Sequence, residues 1–183
     1  GVTDVTGTAT DGGGNSASCT FRITVIDPVS PTISCYSASS ATNPGACSAT
    51  VFFRDPDAFD VCGVDITQSG TLASGQTLYR GTYSTTFTAT DPSNNSASCI
   101  STVTVFDIEP PVVVGCPADI EVTNAVGCDV PVTWDESSVT STDNCGVVSI
   151  TQSHVPGATF PRGLTTVSYS ASDASGNVGQ CSF

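Results

Sequence analysis

One hairpin motif occurs three times in this chain, and its period limits the possible folds more than any other feature. Each copy has an alternating segment, a turn containing Asp, and a second segment that carries a cysteine, as in residues 5–19, 85–99 and 160–181. The equivalent cysteines, Cys19, Cys99 and Cys181, are 80 and 82 residues apart. A period near eighty in a chain of 183 residues indicates a tandem array of small domains.

The third copy shows the local pattern most clearly. Val167, Tyr169 and Ala171 alternate with Ser and Thr residues, which is the period of a strand with one buried and one solvated face. Asp173 and Gly176 then supply turn chemistry, because a short carboxylate accepts hydrogen bonds from nearby backbone N–H groups and glycine adopts positive φ. The pattern predicts a β-hairpin in every repeat.

The remaining sequence also favours an all-β fold. Short runs of β-branched residues are separated by Gly, Pro, Asn and Asp, and no segment has the apolar spacing of a long helix. About six or seven short strands per repeat are typical of an immunoglobulin-like β-sandwich. Trp134 and its counterpart Phe53 each follow the second cysteine of a repeat by six residues, and we expect both to fill the core.

Two proline-rich linkers, residues 27–31 and 107–111, divide the chain into three predicted parts. Residues 1–27 are interpreted as the C-terminal strands of a truncated domain. Residues 28–108 form a complete domain, and residues 109–183 form a domain that lacks most of its last strand. We expect the chain to be a part of a longer repetitive protein, although a strand supplied by another subunit would also complete the last domain.

The composition excludes several classes of partner. Seventeen Asp and Glu residues stand against four basic residues, all of them Arg, for a net charge of −13. This charge repels nucleic acid and anionic lipid, so we expect neither nucleic-acid binding nor membrane insertion. It favours divalent cations or basic proteins.

Nine cysteines without a CxxC pair indicate disulfides made in an oxidising compartment, and therefore an extracellular or cell-surface protein. Each of the two larger domains has four, which allow three pairings. In a sandwich the first and fourth cysteines lie at the same pole, and this favours Cys35–Cys99 and Cys116–Cys181. The remaining pairs are then Cys47–Cys62 and Cys128–Cys145, although each requires the intervening loop to fold back.

A bond from Cys19 to Cys35 is a rival pairing. The chain must run about eight strand residues, or ~26 Å, after Cys19 before it enters the next domain, whereas bridged Cα atoms lie only about 5–6 Å apart. The proline-rich linker resists the sharp return that this bond needs. We therefore expect the partner of Cys19 to lie upstream of Gly1.

The segments 110–120, 142–145 and 160–183 resemble the hyalin repeat, or HYR, module. The resemblance covers residues 109–183 nearly end to end. The preceding domain departs from it, with Leu78-Tyr79 for Phe-Pro, Asp60-Val61 for Asp-Asn and Asn94-Asn95 for Gly-Asn. The resemblance implies disulfide-braced, tandem immunoglobulin-like β-sandwiches that occur in extracellular adhesive and matrix proteins, with no catalytic residues.

A structural or adhesive role follows from these observations: a stiff spacer or a filament-forming array. The expected partners are neighbouring modules or other copies of the chain. The alternative is a calcium-dependent module that binds an extracellular protein or glycan. Enzymatic activity is not expected, because His154 is the only histidine and no nucleophile motif recurs.

Two further sites are predicted from residue type and position. No cofactor is required by the sequence, but Ca²⁺ binds carboxylate oxygens in loops. The predicted ligands lie in inter-strand loops and a linker: Asp55, Asp57, Asp60, Asp107, Asp135 and Asp143. Asp91, Asp173, Asp27 and Glu109 are expected near the same poles. Asn94, in the acceptor sequence Asn94-Asn95-Ser96, is a predicted glycosylation site in an exposed turn.

Overall fold

A computed structural model describes residues 1–123 and 127–183. Every regular element in those residues is a β-strand, which confirms the predicted all-β class, and no helix among them could cross a bilayer. The strands are β1 Val2–Thr10, β2 Ser16–Thr24, β3 Thr32–Ser34, β4 Ala38–Ala41, β5 Ser48–Val51, β6 Asp57–Phe59, β7 Asp65–Ser69, β8 Gln76–Tyr79, β9 Gly81–Thr90, β10 Ser96–Phe106, β11 Val112–Val114, β12 Asp129–Pro131, β13 Thr140–Thr142, β14 Val147–Gln152, β15 Thr159–Pro161, β16 Ser168–Asp173 and β17 Val178–Ser182.

The contacts between residues divide the chain into two compact units, and β9 and β10 contribute to both. The first unit comprises residues 1–36, 54–71 and 85–101. In it β1 pairs with β2, β3 with β6 and β7 with β9, all antiparallel, and β9 is also hydrogen-bonded to β10. Phe87 and Ala89 are 4% and 0% exposed, so the alternating face of β9 supplies its core.

The second unit comprises residues 37–53, 72–84 and 102–183. In its N-terminal part, β4 runs parallel to β10, and β5 pairs with β8 in antiparallel fashion. These strands enclose a cluster of buried aliphatic side chains, with Phe53 packed against it as predicted. The cluster consists of Ala49, Val51, Leu72, Leu78, Val103 and Val105.

The C-terminal part of the second unit contains the strands of the last repeat. A three-stranded sheet has the order β14-β16-β17, and shorter antiparallel pairs form between β11 and β13 and between β12 and β15. Val167, Tyr169 and Ala171 are at most 3% exposed, which confirms the predicted buried face of this hairpin. Trp134 Nε1 donates to the Tyr169 hydroxyl at 2.7 Å, and its ring contacts Phe160 and Phe183 edge to face.

A cavity of about 870 Å³ lies in this repeat, and its lining includes Trp134, Phe160 and Phe183. Strand β10 extends to Phe106 and β17 to Ser182.

One short strand differs from the sequence-based expectation. β6 occupies residues 57–59, within the segment predicted as an acidic loop, because its backbone pairs with β3 and Ala58 lies opposite Ile33. Pairing with β3 thus overrides the local residue preference at this position.

Candidate functional site: the junction between repeats

The hairpin turn has the same hydrogen bonds in all three repeats. Asp173 Oδ1 accepts from the backbone N–H groups of Ser175 and Asn177, and its Oδ2 accepts from Asn177 Nδ2. Asp91 makes the equivalent bonds with Ser93 and Asn95. Asp11 makes them with Gly13 and Asn15. The aspartate therefore fixes the orientation of the asparagine four residues later.

That asparagine connects the turn to the linker before its own repeat. Asn95 Nδ2 donates to the backbone carbonyl of Asp27 at 2.8 Å, and Asn177 Nδ2 donates to that of Asp107 at 3.3 Å. Asp27 and Asp107 are the first residues of the two proline-rich linkers. The repeated turn thus holds the start of each linker in place.

The structure contains both disulfides expected at the strand ends. Cys35 bonds Cys99, and Cys116 bonds Cys181, with Cα–Cα distances of 5.7 and 6.2 Å. Each bond joins the first and last strand regions of one repeat, so each closes a sandwich on itself. Cys19, the third member of the Cys99 and Cys181 series, is free and exposed.

The other two predicted pairs, Cys47–Cys62 and Cys128–Cys145, are wrong. Cys47 bonds Cys145 instead, with a Cα–Cα distance of 4.7 Å, and Cys62 and Cys128 are free and exposed. Between Cys47 and Cys62 the chain does not fold back, since it passes from the second unit into the first. Cys128 adjoins β12, which pairs with β15, whereas Cys145 follows β13, which pairs with β11.

The Cys47–Cys145 bond lies in a dense junction within the second unit. Asn144 Nδ2 donates to the carbonyl of Ala46 at 3.1 Å, and Thr42 Oγ1 donates to Asp107 Oδ1 at 3.3 Å. The backbone N–H of Gly45 donates to both carboxylate oxygens of Glu109 at 3.0–3.1 Å. The loop at residues 42–47 is therefore hydrogen-bonded both to the linker and to Asn144.

Three aspartates converge at this junction. Asp107, Asp143 and Asp173 each have a carboxylate oxygen within 4.8 Å of the others. Asp107 and Asp173 are both 5% exposed. The two ion pairs among the described residues, Arg22–Asp4 and Arg54–Asp57, do not involve this cluster. Concentrated negative charge in a buried position makes this the strongest candidate site in the described part of the chain.

A family model decides the classification. The model for the HYR domain matches residues 26–105 and again residues 106–183. The chain belongs to the HYR domain family. Cys47 lies in the first HYR match and Cys145 in the second, so the third disulfide links two HYR domains.

Curated relatives agree with this result. The chain is 36% identical to hyalin of Strongylocentrotus purpuratus over 97% of its length, and 34% identical to hyalin of Lytechinus variegatus over 97%. It is 38% identical over 85% of its length to "Sushi, von Willebrand factor type A, EGF and pentraxin domain-containing protein 1" of Rattus norvegicus. The chain spans only 15%, 35% and 4% of these three relatives, respectively.

Solved structures resemble the chain weakly. A "Protocadherin gammaB7 EC3-6 cis-dimer structure" aligns with 99% of the chain and 59% of its own, at 18% identity and a TM-score of 0.39. A desmocollin-1 ectodomain aligns at 11% identity over 92% of the chain and 39% of its own, with a TM-score of 0.29. The family match and the three disulfides place the chain in an extracellular, adhesion-type class.

The structure brings together only some of the calcium ligands predicted for this HYR chain. Asp107 and Asp143 meet at the junction, joined by Asp173, while Asp60 lies with Asp27 and Cys62 in the first unit. The other predicted ligands have local roles or lie apart. Asp57 pairs with Arg54 and accepts from the Tyr36 hydroxyl, Asp135 caps the turn at Ser137, and Asp55 is exposed. Sequence reasoning missed Thr42, whose hydroxyl carries no distinctive motif, whereas Asn144 belongs to the Asp-Asn pair of the HYR resemblance.

Two other predicted positions are solvent-facing or locally bonded. Asn94 is exposed in the turn between β9 and β10, with a φ of 68°, a position open to glycan attachment. His154 is half-buried, and its Nδ1 lies 3.0 Å from Ser153 Oγ. Its ring packs near Phe160, a contact consistent with a structural role.

The turn aspartates predict a loss of stability in acid. Burial raises the pKa of Asp173, but hydrogen bonds from Asn177 and Ser175 outweigh it, so the pKa lies below 3.8. The pKa of Asp91 is lowered in the same way. A lowered folded-state pKa stabilises the fold above the unfolded-state value, and this contribution disappears as pH falls through the folded-state value. The melting temperature should therefore be steady from about pH 7 to 5 and fall below about pH 4.

The variant Asp173→Asn tests the cause of this acid transition. It should melt at a lower temperature than the wild type at pH 7, because one carboxylate oxygen becomes an N–H donor facing Asn177 Nδ2. The difference should shrink toward pH 2. The exposed Asp119 provides a control, since Asp119→Asn should follow the wild-type profile. An unchanged profile for Asp173→Asn would contradict the assignment.

Proposed function

We propose that this HYR chain is a structural, non-enzymatic element of an extracellular adhesive array, and that it acts as a stiff spacer. The observation that carries the proposal is the Cys47–Cys145 bond between the two HYR matches. A linker alone leaves two domains free to pivot. A linker plus a disulfide attaches the domains at two points and removes much of that freedom.

Hydrogen bonds at the same junction support the proposal. The linker residues Asp107 and Glu109 are held by Thr42 and Gly45 on one side and by Asn177 on the other. Pro110 and Pro111 continue the linker, and proline restricts backbone rotation. A joint with a disulfide, a stiff linker and these hydrogen bonds suits a protein that must keep its end-to-end length under mechanical force.

The free cysteines extend this scheme to neighbouring modules. Cys128 occupies the position in the second HYR match that Cys47 occupies in the first. Cys62 occupies the position in the first match that Cys145 occupies in the second. Both thiols are exposed. We propose that each bonds the reciprocal cysteine of an adjacent HYR domain, in the same chain or in another copy, so that every joint of the array is cross-linked.

NMR relaxation of the full chain tests the spacer role. If the joint is stiff, backbone ¹⁵N relaxation in β5 and β10 and in β14 and β16 should fit a single anisotropic tumbling of the whole second unit. Separate correlation times for residues 48–53 and residues 147–173 would indicate a flexible tether and would overturn the spacer proposal. The measurement needs no variant and is made on the oxidised protein.

A second candidate function is calcium-dependent binding of a protein or glycan through loops. The observation in its favour is the exposed pair Phe59 and Val61, which are 68% and 89% exposed beside Asp60. Exposed apolar side chains that form one contiguous patch mark sites of protein interaction. Retention of a partner by the wild type but not by Phe59→Ser, and its release by chelator, would support this candidate over the passive spacer.

A further inference from the structure

The junction cluster contains oxygen atoms that have no hydrogen-bond partner. Asp107 Oδ2, Asp143 Oδ2 and Asn144 Oδ1 are all buried and unpaired. Buried acceptors without partners are rare, because each loses its hydration without compensation. Asp107 is itself 95% buried, being 5% exposed. Three unpaired acceptors at one junction indicate a missing positive charge.

The three carboxylates also lie close together. One oxygen each of Asp107, Asp143 and Asp173 lies within 4.8 Å of the others, and neither ion pair among the described residues involves them. Arg80 lines a groove with Asp107, and its Nη1 contacts Ser175 Oγ at 3.4 Å. A bound cation would supply the missing partners and offset the negative charge.

We infer that this junction binds one Ca²⁺ ion, through Asp107, Asp143 and Asp173 with the amide oxygen of Asn144. Two oxygens bound to one Ca²⁺ at about 2.4 Å can lie no more than about 4.8 Å apart, and the three carboxylates meet that limit. Ca²⁺ takes six to eight oxygen ligands in flexible geometry, so water completes the shell. Mg²⁺ fits less well, since it demands near-ideal octahedral geometry.

The ion would stabilise the proposed joint between the two HYR domains. Asp107 belongs to the linker, whereas Asp143 and Asn144 adjoin Cys145, whose partner Cys47 lies in the first HYR match. Asn144 also donates to Thr42 Oγ1 at 3.4 Å and to the carbonyl of Ala46. Binding would therefore fix the linker and both domains at one point. The inference goes beyond the spacer role, because a joint cross-linked by Cys47–Cys145 remains stiff without the ion.

The first unit offers a matched comparison. There Asp27 and Asp60 lie with the thiol of Cys62, and Val61, which is 89% exposed, stands where the second match has Asn144. Neither Asp27 nor Asp60 has an unpaired buried oxygen among the described residues. We expect no ion at that position, so Asp60→Asn is the control for Asp143→Asn.

Calorimetric titration of the metal-free, oxidised chain with CaCl₂ tests the inference. One site should be seen, with a dissociation constant of about 0.1–1 mM, the range of extracellular calcium modules. MgCl₂ should bind at least tenfold more weakly. Asp143→Asn should weaken calcium binding at least tenfold, while Asp60→Asn should bind as the wild type does. Saturating calcium should raise the melting temperature of the wild type by several degrees.

Absence of heat and of a thermal shift at 10 mM CaCl₂, against NaCl of equal ionic strength, would overturn the inference. So would wild-type binding by Asp143→Asn. If that variant does not fold, Mn²⁺ broadening of wild-type amide signals decides, since residues 107, 143–145 and 173 should broaden first and broadening elsewhere would contradict the site. If calcium does not bind but the second unit still tumbles as one body, the calcium inference is wrong and the spacer function is still supported.

Discussion

Replacing both Cys47 and Cys145 by serine should lower the free energy of unfolding of the second unit by about 4–5 kcal/mol. The bond spans a sequence separation of 98 residues, and restricting the unfolded chain with a loop of that length is worth about 4.7 kcal/mol. The unit should also change from one unfolding transition to two. The Cys116–Cys181 bond still braces the second HYR domain, but only the peptide linker then joins it to the first.

Differential scanning calorimetry measures both effects. A ratio of calorimetric to van't Hoff enthalpy that rises above one in the variant would report the separation of the two domains. The matched control is Cys62→Ser with Cys128→Ser, which removes the same atoms from exposed positions that carry no bond and should change stability by less than about 0.5 kcal/mol. Equal effects of the two double variants would contradict a bond between domains.

That cross-domain bond marks the limit of what the sequence could predict. Cys35 and Cys99 stand at the ends of strands whose places in a sandwich follow from the repeat, so their pairing could be predicted. Cys47 and Cys62 have no such constraint. Because both HYR domains carry both types of cysteine, pairing within a domain and pairing between neighbours satisfy the same sequence equally well. Only the packing of the 42–47 loop on Asn144 and Asp107 distinguishes the two.

The acidic cluster was predictable in part for a similar reason. Asp107 is marked by the linker and Asp173 by the turn, and both positions repeat, as Asp27 and Asp91 do. Asp55, Asp57 and Asp135 have the same residue type but are used locally, in an ion pair or a turn, or lie exposed. Residue type alone cannot distinguish an aspartate of the cluster from one with a local role. Burial distinguishes them, because a buried carboxylate needs a partner within the protein, whereas water hydrates an exposed carboxylate.

Replacement of Val103 by aspartate should abolish cooperative folding of the first HYR domain. Val103 is 0% exposed at the centre of the buried aliphatic cluster on β10. An unpaired carboxylate there would lose its hydration without gaining a partner, a cost greater than about 5 kcal/mol and comparable with the stability of a small domain. The milder change Val103→Ala should cost about 2–3 kcal/mol, since it removes two buried methyl groups and leaves a void.

Circular dichroism and thermal melts of Val103→Asp should therefore show no cooperative transition for this domain. The same substitution at Ile100 is the control, because Ile100 lies on the same strand and is 61% exposed; Ile100→Asp should melt within a few degrees of the wild type. If Val103→Asp folded as stably as Ile100→Asp, the second half of β10 would not be part of the core that holds the first HYR domain together.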